Sequence, residues 1–233
     1  MPPPASPNSA IHPALRLDYS SEQRAAWMKR HEEFCALARR GGADVVFFGD
    51  SLTDHWRDGG RASWDRHFAP LPAVNFGLSG DRTQQLLWRI EHGELDRLNP
   101  KVVVLLIGTN NLTPGLGDNR LTPKNTPGET AQGVAAVVDA VRSRWPLARI
   151  LLHALLPRED PGHPLRREVE ETNVLLARLA EGNTVTFFDP ASQFLGPDGI
   201  ISRELMPDLL HLSTRGYARW AEALHEPLNA LLR

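Results

Sequence analysis

The chain has 233 residues, a formal net charge of −2, and 41% hydrophobic against 23% charged residues. This composition describes one globular domain with material for a real core, and it gives no electrostatic reason to expect nucleic acid or an anionic membrane as partner. The single cysteine, Cys35, excludes an internal disulfide and a cysteine-based zinc cluster.

The chain opens on MPPPASPNSA, which has no basic start and no apolar stretch, so it does not read as a secretory signal. Rich in Pro, Ser and Ala, residues 1–19 are expected to form a disordered or extended tail ahead of a single domain over 20–233. As written, the chain is expected to be cytoplasmic. One whose native signal had been replaced by Met would read the same and be secreted. The apolar runs, VVVLLI at 102–107 among the longest, are too short to cross a bilayer, so no stable membrane insertion is expected.

From Ser20 to Arg40 the spacing predicts a helix. Ser20 and Gln23 match a capping box, Trp27, His31, Phe34 and Ala38 recur at helical intervals, and Gly41 and Gly42 stop it. The run VVFF (45–48) follows, then AVNF (73–76), VVVLLI (102–107), RILLHALL (149–156) and TVTFFD (184–189). These runs are apolar on both faces, as strands covered on both sides must be. Between them lie helical patterns over 83–98, 126–145, 165–180 and 214–232. The Thr126-Pro127-Gly128-Glu129 start is a capping box with proline at the first helical position. Strands alternating with helices predict a parallel sheet wrapped by right-handed crossovers.

In such sheets chemistry gathers beyond the carboxyl ends of the strands. Three strands leave through compact polar exits that contain glycine: GDS at 49–51, GLSGD at 77–81 and GTNN at 108–111. Ser51, at the first exit, reads as a helix cap, a phosphate ligand or a nucleophile. A nucleophile needs a base, an acid that orients it, and donors for the oxyanion.

Among the nine histidines, His12, His31, His55, His67, His92 and His225 fall in the tail or on helical or loop patterns, where surface roles are the default. His153, inside a strand, reads as a satisfied core histidine, and His163 as a loop residue. His211 differs, because Asp208 precedes it by three residues in MPDLLHL, close enough to orient an imidazole around one helical turn. Backbone N–H groups at Ser51 and Gly80, with the Asn110 amide, supply candidate oxyanion donors. Each motif taken alone is more simply a turn. Together they make a constellation.

GDSL around Ser51, NFGLSGD around Gly80, GTNN around Asn110 and D-x-x-H ending at His211 occur in the order of the four blocks of the SGNH (GDSL) hydrolases, which the chain resembles. Within that superfamily, NFGLSGDRTQQLLWRIEHGEL and PDLLHLSTRGYARWAEAL are similar to the catalytic subunits of intracellular platelet-activating-factor acetylhydrolases. Bacterial carbohydrate-acetyl esterases share the same blocks.

The resemblance implies a three-layer α/β/α, flavodoxin-like fold with a five-stranded parallel sheet. It implies Ser51 as nucleophile, His211 as base, Asp208 as third member, and Ser51, Gly80 and Asn110 around the oxyanion. No metal and no cofactor are expected. The expected substrate is a small-molecule or carbohydrate acyl ester with a short, acetyl-sized acyl group. A platelet-activating-factor or lysophospholipase-type lipid ester is the alternative, and a homodimer is implied by those subunits.

Two features depart from the resemblance. Ser79 stands where those subunits tend to have glycine, and the loop 112–127 is longer than theirs. Asp118, Asn119, Arg120 and Lys124 in that loop are expected to suit a hydroxyl-rich or charged alcohol half. A flavodoxin-like nucleotide-binding module shares the α/β layout, but the chain has neither G-x-x-x-x-G-K-[ST] nor G-x-G-x-x-G after a strand.

Overall fold

The computed structural model describes residues 8–16, 18–114 and 123–233. Strands β1 (Val45–Gly49), β2 (Ala73–Gly77), β3 (Val102–Leu106), β4 (Arg149–His153) and β5 (Val185–Phe188) form one sheet in the order β2-β1-β3-β4-β5. All four pairings are parallel. This is the doubly wound arrangement in which the order of strand addition reverses between β1 and β3. Gly49 lies opposite both Gly77 and Leu106, so the three glycine-containing exits leave the sheet side by side.

The helices are α1 (Ser21–Arg40), α2 (Ser51–Asp54), α3 (Arg61–His67), α4 (Thr83–His92), α5 (Pro127–Arg144), α6 (Pro164–Ala177) and α7 (Thr214–Leu232). Successive residues of β1 serve opposite layers, as a pleated strand requires. Phe47 packs on Trp64 and Phe68 of the α3 side, while Phe48 packs on Phe76 and on Trp145 at the end of α5. The same cluster continues into α7 through Trp56, which meets Phe68 and Tyr217 edge-on and stacks on Trp220.

Both predicted capping boxes form, at Ser20 with Gln23 and at Thr126 with Glu129. The helix expected over 83–98 ends at His92. Gly93 caps it, Glu94 takes a left-handed φ of 50°, and a 3₁₀ turn over Leu95–Arg97 completes the stretch. The run 149–156 is strand only to His153. Beyond it, Asn173 of α6 takes both the Leu155 N–H (2.8 Å) and the Leu155 carbonyl (2.9 Å), so side-chain bonds replace the ladder. Helices α2 and α3 are too short to carry a periodic signal, and the sequence reading did not foresee them.

Within the stretch 1–19, the described residues pack onto the domain. Ala10 is fully buried and its carbonyl accepts from Thr83 Oγ1 at 2.8 Å. Arg16 donates to the Gly80 carbonyl at 2.5 Å. The proline-rich composition suppresses regular structure, but isolated residues still find partners across the surface.

His153 is the satisfied core histidine that its place in a strand predicted. It accepts from Trp220 Nε1 at Nε2 (2.7 Å), which leaves Nδ1 to donate to the Ala154 carbonyl (2.5 Å). Burial depresses its pKa to about 4. The neutral form is therefore favoured in the folded state, so its stabilisation is complete above the unfolded value near 6.5. It is lost as pH falls toward 4, to the extent of about 3 kcal/mol. Urea unfolding of the wild type and His153→Gln at pH 7 and pH 4 checks this. The stability gap between the two proteins should shrink by about that amount. A gap independent of pH would show that His153 is not held neutral.

Candidate active site

The site is built where β1, β2 and β3 end. At the first exit, Asp50 turns the chain from β1 into α2 and accepts the Leu52 N–H at 3.1 Å. Its carboxyl is fully buried, and burial pushes its pKa up to about 7. α2 can lie this close because Gly49 has no side chain, and a Cβ there would meet Thr53 Oγ1 at 2.1 Å. The turn leaves Ser51 at the sheet edge. Tyr217 of α7 donates to the Leu52 carbonyl at 2.8 Å and ties the last helix to this turn.

His211 arrives from the segment before α7. Its Nε2 lies 3.1 Å from Ser51 Oγ, and its Nδ1 lies 2.7 Å from Asp208 Oδ2. Asp208 Oδ1 also accepts the backbone N–H groups of His211 (2.6 Å) and Leu210 (3.0 Å). Partial burial alone would raise the Asp208 carboxyl. The hydrogen bonds from the His211 ring and backbone outweigh it and hold the group below its ordinary value. An ionised carboxylate on Nδ1 keeps the proton there and turns the Nε2 lone pair toward Ser51.

The second exit is a tight turn from Leu78 to Asp81. The Leu78, Ser79 and Asp81 N–H groups go to Gly49 O (3.0 Å), Asp54 Oδ2 (3.2 Å) and Leu78 O (3.2 Å). Among the described residues, no acceptor takes the Gly80 or Ser51 N–H. Gly80 has a φ of +80°, a backbone conformation that favours glycine, and a Cβ there would displace the Tyr19 hydroxyl end. At the third exit, Asn110 is buried and one arm of its amide donates to the Asp81 carbonyl at 2.9 Å.

The site is framed by a buried ion pair. Arg89 of α4 places Nε 2.7 Å from Asp81 Oδ2 and donates Nη1 to the Phe76 carbonyl at 2.9 Å. Trp27 Nε1 donates to Asp81 Oδ1 at 2.7 Å. Asn111 receives the Thr83 N–H at 3.0 Å and donates to Asn125 Oδ1 at 3.1 Å. The ends of β2 and β3 and the start of α4 are thus stitched into one unit.

All five expected residues, Ser51, Gly80, Asn110, Asp208 and His211, lie at or beside this edge. A further cluster was not foreseen. His55 lies beside His211, the rings tilted by 37° with centroids 5.6 Å apart, and Ser79 Oγ donates to Asp54 Oδ2 at 2.7 Å. For the half-buried His55, the default of a surface role did not anticipate its place beside His211. Its spacing of four from Ser51 was the available signal, since such residues share one side of a helical turn. Of the 112–127 loop, Asp118, Asn119 and Arg120 lie outside the described residues. Lys124 is paired with Glu168 at 2.6 Å.

A parallel α/β/α sheet with a serine–histidine–aspartate line at its carboxyl edge has the architecture of a hydrolase. The chain belongs to the GDSL-like lipase/acylhydrolase family, which it matches over residues 47–219, and it is a carboxylic ester hydrolase. It is 36% identical over 226 residues to the platelet-activating factor acetylhydrolase IB subunit alpha2 of Homo sapiens, covering 97% of this chain and 92% of that one. Its fold is similar to that of Axe2, an acetylxylan esterase from Geobacillus stearothermophilus, with a TM-score of 0.63 at 19% identity, over 82% and 94% of the two chains. Est24, a carbohydrate acetylesterase from Sinorhizobium meliloti, superposes with a TM-score of 0.57 at 21% identity, over 82% of this chain and 100% of that one.

Proposed function

We propose that the protein hydrolyses short-chain acyl esters, acetyl esters foremost, through an acyl-serine intermediate on Ser51. The observation that carries this reading is the unbroken line from Ser51 Oγ through His211 to Asp208, with contacts of 3.1 and 2.7 Å. His211 Nε2 takes the Ser51 proton as Oγ bonds to the ester carbonyl carbon. Negative charge moves to the carbonyl oxygen, which the Ser51 and Gly80 N–H groups and the free arm of the Asn110 amide receive.

Collapse breaks the bond to the alcohol, and His211 gives its proton to the departing oxygen. Water then attacks the acyl-serine while His211 takes a proton from it. The second collapse releases the acid and returns the proton to Ser51. Asp208 stays ionised throughout and stabilises the imidazolium.

Relatives named as acetylhydrolases and acetylesterases support the acetyl preference. The identity to the platelet-activating-factor enzyme favours one second reading, an acetylated phospholipid as substrate. A series of nitrophenyl esters tests the first. kcat/KM should peak between acetyl and butyryl and fall for octanoyl, with no rate jump above the micellar threshold. A maximum at eight carbons or beyond would sink the short-acyl reading. Acetylated sugars against an acetylated phospholipid then separate the two alcohol halves.

A further inference from the structure

We propose that His55, anchored by Ser79, is a specificity-determining residue on the alcohol side of the reaction centre, where it hydrogen-bonds hydroxyl groups of the departing alcohol. The proposal rests on the esterase reading above and adds a residue to it.

His55 follows Ser51 by one helical turn, and its backbone N–H donates to the Ser51 carbonyl. The two side chains therefore share a face. His211 meets both of them. Its Nε2 is 3.1 Å from Ser51 Oγ, and its ring lies 5.6 Å from the His55 ring, centroid to centroid, at a tilt of 37°.

The alcohol oxygen must come within hydrogen-bond reach of His211 Nε2 to collect its proton. The alcohol half is thereby brought alongside the His211 ring. The oxyanion donors are the Ser51 N–H at the start of α2 and the Gly80 N–H and Asn110 amide on the turns after β2 and β3. On the face it shares with Ser51, His55 adjoins this imidazole.

Its anchorage is built in. His55 Nε2 lies 3.5 Å from Ser79 Oγ, and that hydroxyl donates to Asp54 Oδ2 at 2.7 Å. Asp54 is buried, accepts the Ser79 N–H at 3.2 Å, and is paired with Arg57 Nε at 2.7 Å. His55 and Ser79 are each only half-buried, so both reach the surface at which an alcohol lies. With Nε2 turned as donor toward the Ser79 hydroxyl, Nδ1 is left as an acceptor for a hydroxyl of the alcohol. An apolar alcohol would cover these groups without satisfying them, which is the physical origin of discrimination against it.

Glycerol monoacetate and propyl acetate share an acyl group and a carbon skeleton and differ by two hydroxyls, so the ratio of their kcat/KM values isolates the contact. The wild type should favour glycerol monoacetate. His55→Leu should lower that ratio about tenfold, mainly through KM, and His55→Gln, which keeps a donor and an acceptor, should restore most of it. Ser79→Gly, which removes only the anchor, should lower the ratio by less, and it reports independently should His55→Leu fail to fold. If His55→Leu and Ser79→Gly slow both esters in proportion and leave the ratio untouched, His55 acts only through His211 and the proposal is overturned. A wild type inert toward these esters and toward nitrophenyl acetate would remove the proposal together with the esterase reading, a result distinguishable from an unchanged ratio in an active enzyme.

Discussion

Ser51→Ala is expected to lower kcat on nitrophenyl acetate by about 10⁶-fold, to background, because a nucleophile and its base act as one unit. The fold should survive. The described partner of the Ser51 hydroxyl is His211 Nε2 at 3.1 Å, and a single hydrogen bond contributes about 1 kcal/mol net. A thermal midpoint within about 4 °C of the wild type is the corresponding expectation. A serine-directed phosphonate should label the wild type and leave the variant unmodified. Substantial residual turnover, or labelling that persists in the variant, would remove Ser51 from the mechanism.

The largest stability effect is expected at Arg89. Its guanidinium is buried against Asp81, whose carboxyl also holds Trp27 Nε1, and it accounts for the Phe76 carbonyl as well. Burial pushes the Asp81 carboxyl up while Arg89 and Trp27 oppose that shift, so removing Arg89 leaves a buried carboxylate without its counter-charge. Arg89→Met should cost about 3–5 kcal/mol. For a domain of this size that lowers the midpoint by roughly 10 °C.

The double variant Asp81→Asn with Arg89→Met removes both charges and should recover part of the loss, since the penalty lies in the unpaired charge. Denaturant unfolding of the three proteins decides this. Equal stability of Arg89→Met and the wild type would mean the pair contributes nothing to the frame. Activity should fall with stability in the single variant, because the Asp81 carbonyl holds Asn110.

Neither Arg89 nor Asp81 was legible as a frame. Arg89 sits in a helical pattern whose apolar positions, Leu86, Leu87 and Ile90, were the visible signal. An arginine beside them reads as a solvated face. It is buried because β2 and the turn that follows it present it with the Phe76 carbonyl and the Asp81 carboxylate, a coincidence of position that spacing along the chain does not encode. His31 is a different case. The surface default does not fit it, but its helical interval with Trp27, Phe34 and Ala38 does: it lies buried between Trp27 and Trp88, with its pKa lowered to about 4 by burial.

What the sequence determined by itself was local in origin. Apolar runs on both faces, capping boxes and glycine-containing exits follow from rules that act over a few residues, and they led to the parallel α/β/α class. They also marked Ser51, Gly80, Asn110, Asp208 and His211 as the residues to inspect. The tertiary structure alone decided what meets what. Ser51 and His211 stand 160 positions apart and touch only because the segment before α7 is carried across to the start of α2, where Tyr217 also bonds. The buried Arg89–Asp81 pair, and the Asp54–Ser79–His55 chain beside His211, likewise exist only in the packed molecule. Propensity and periodicity act within one turn or one strand, whereas contacts across the sheet edge depend on strand order and layer packing, which the whole chain settles together.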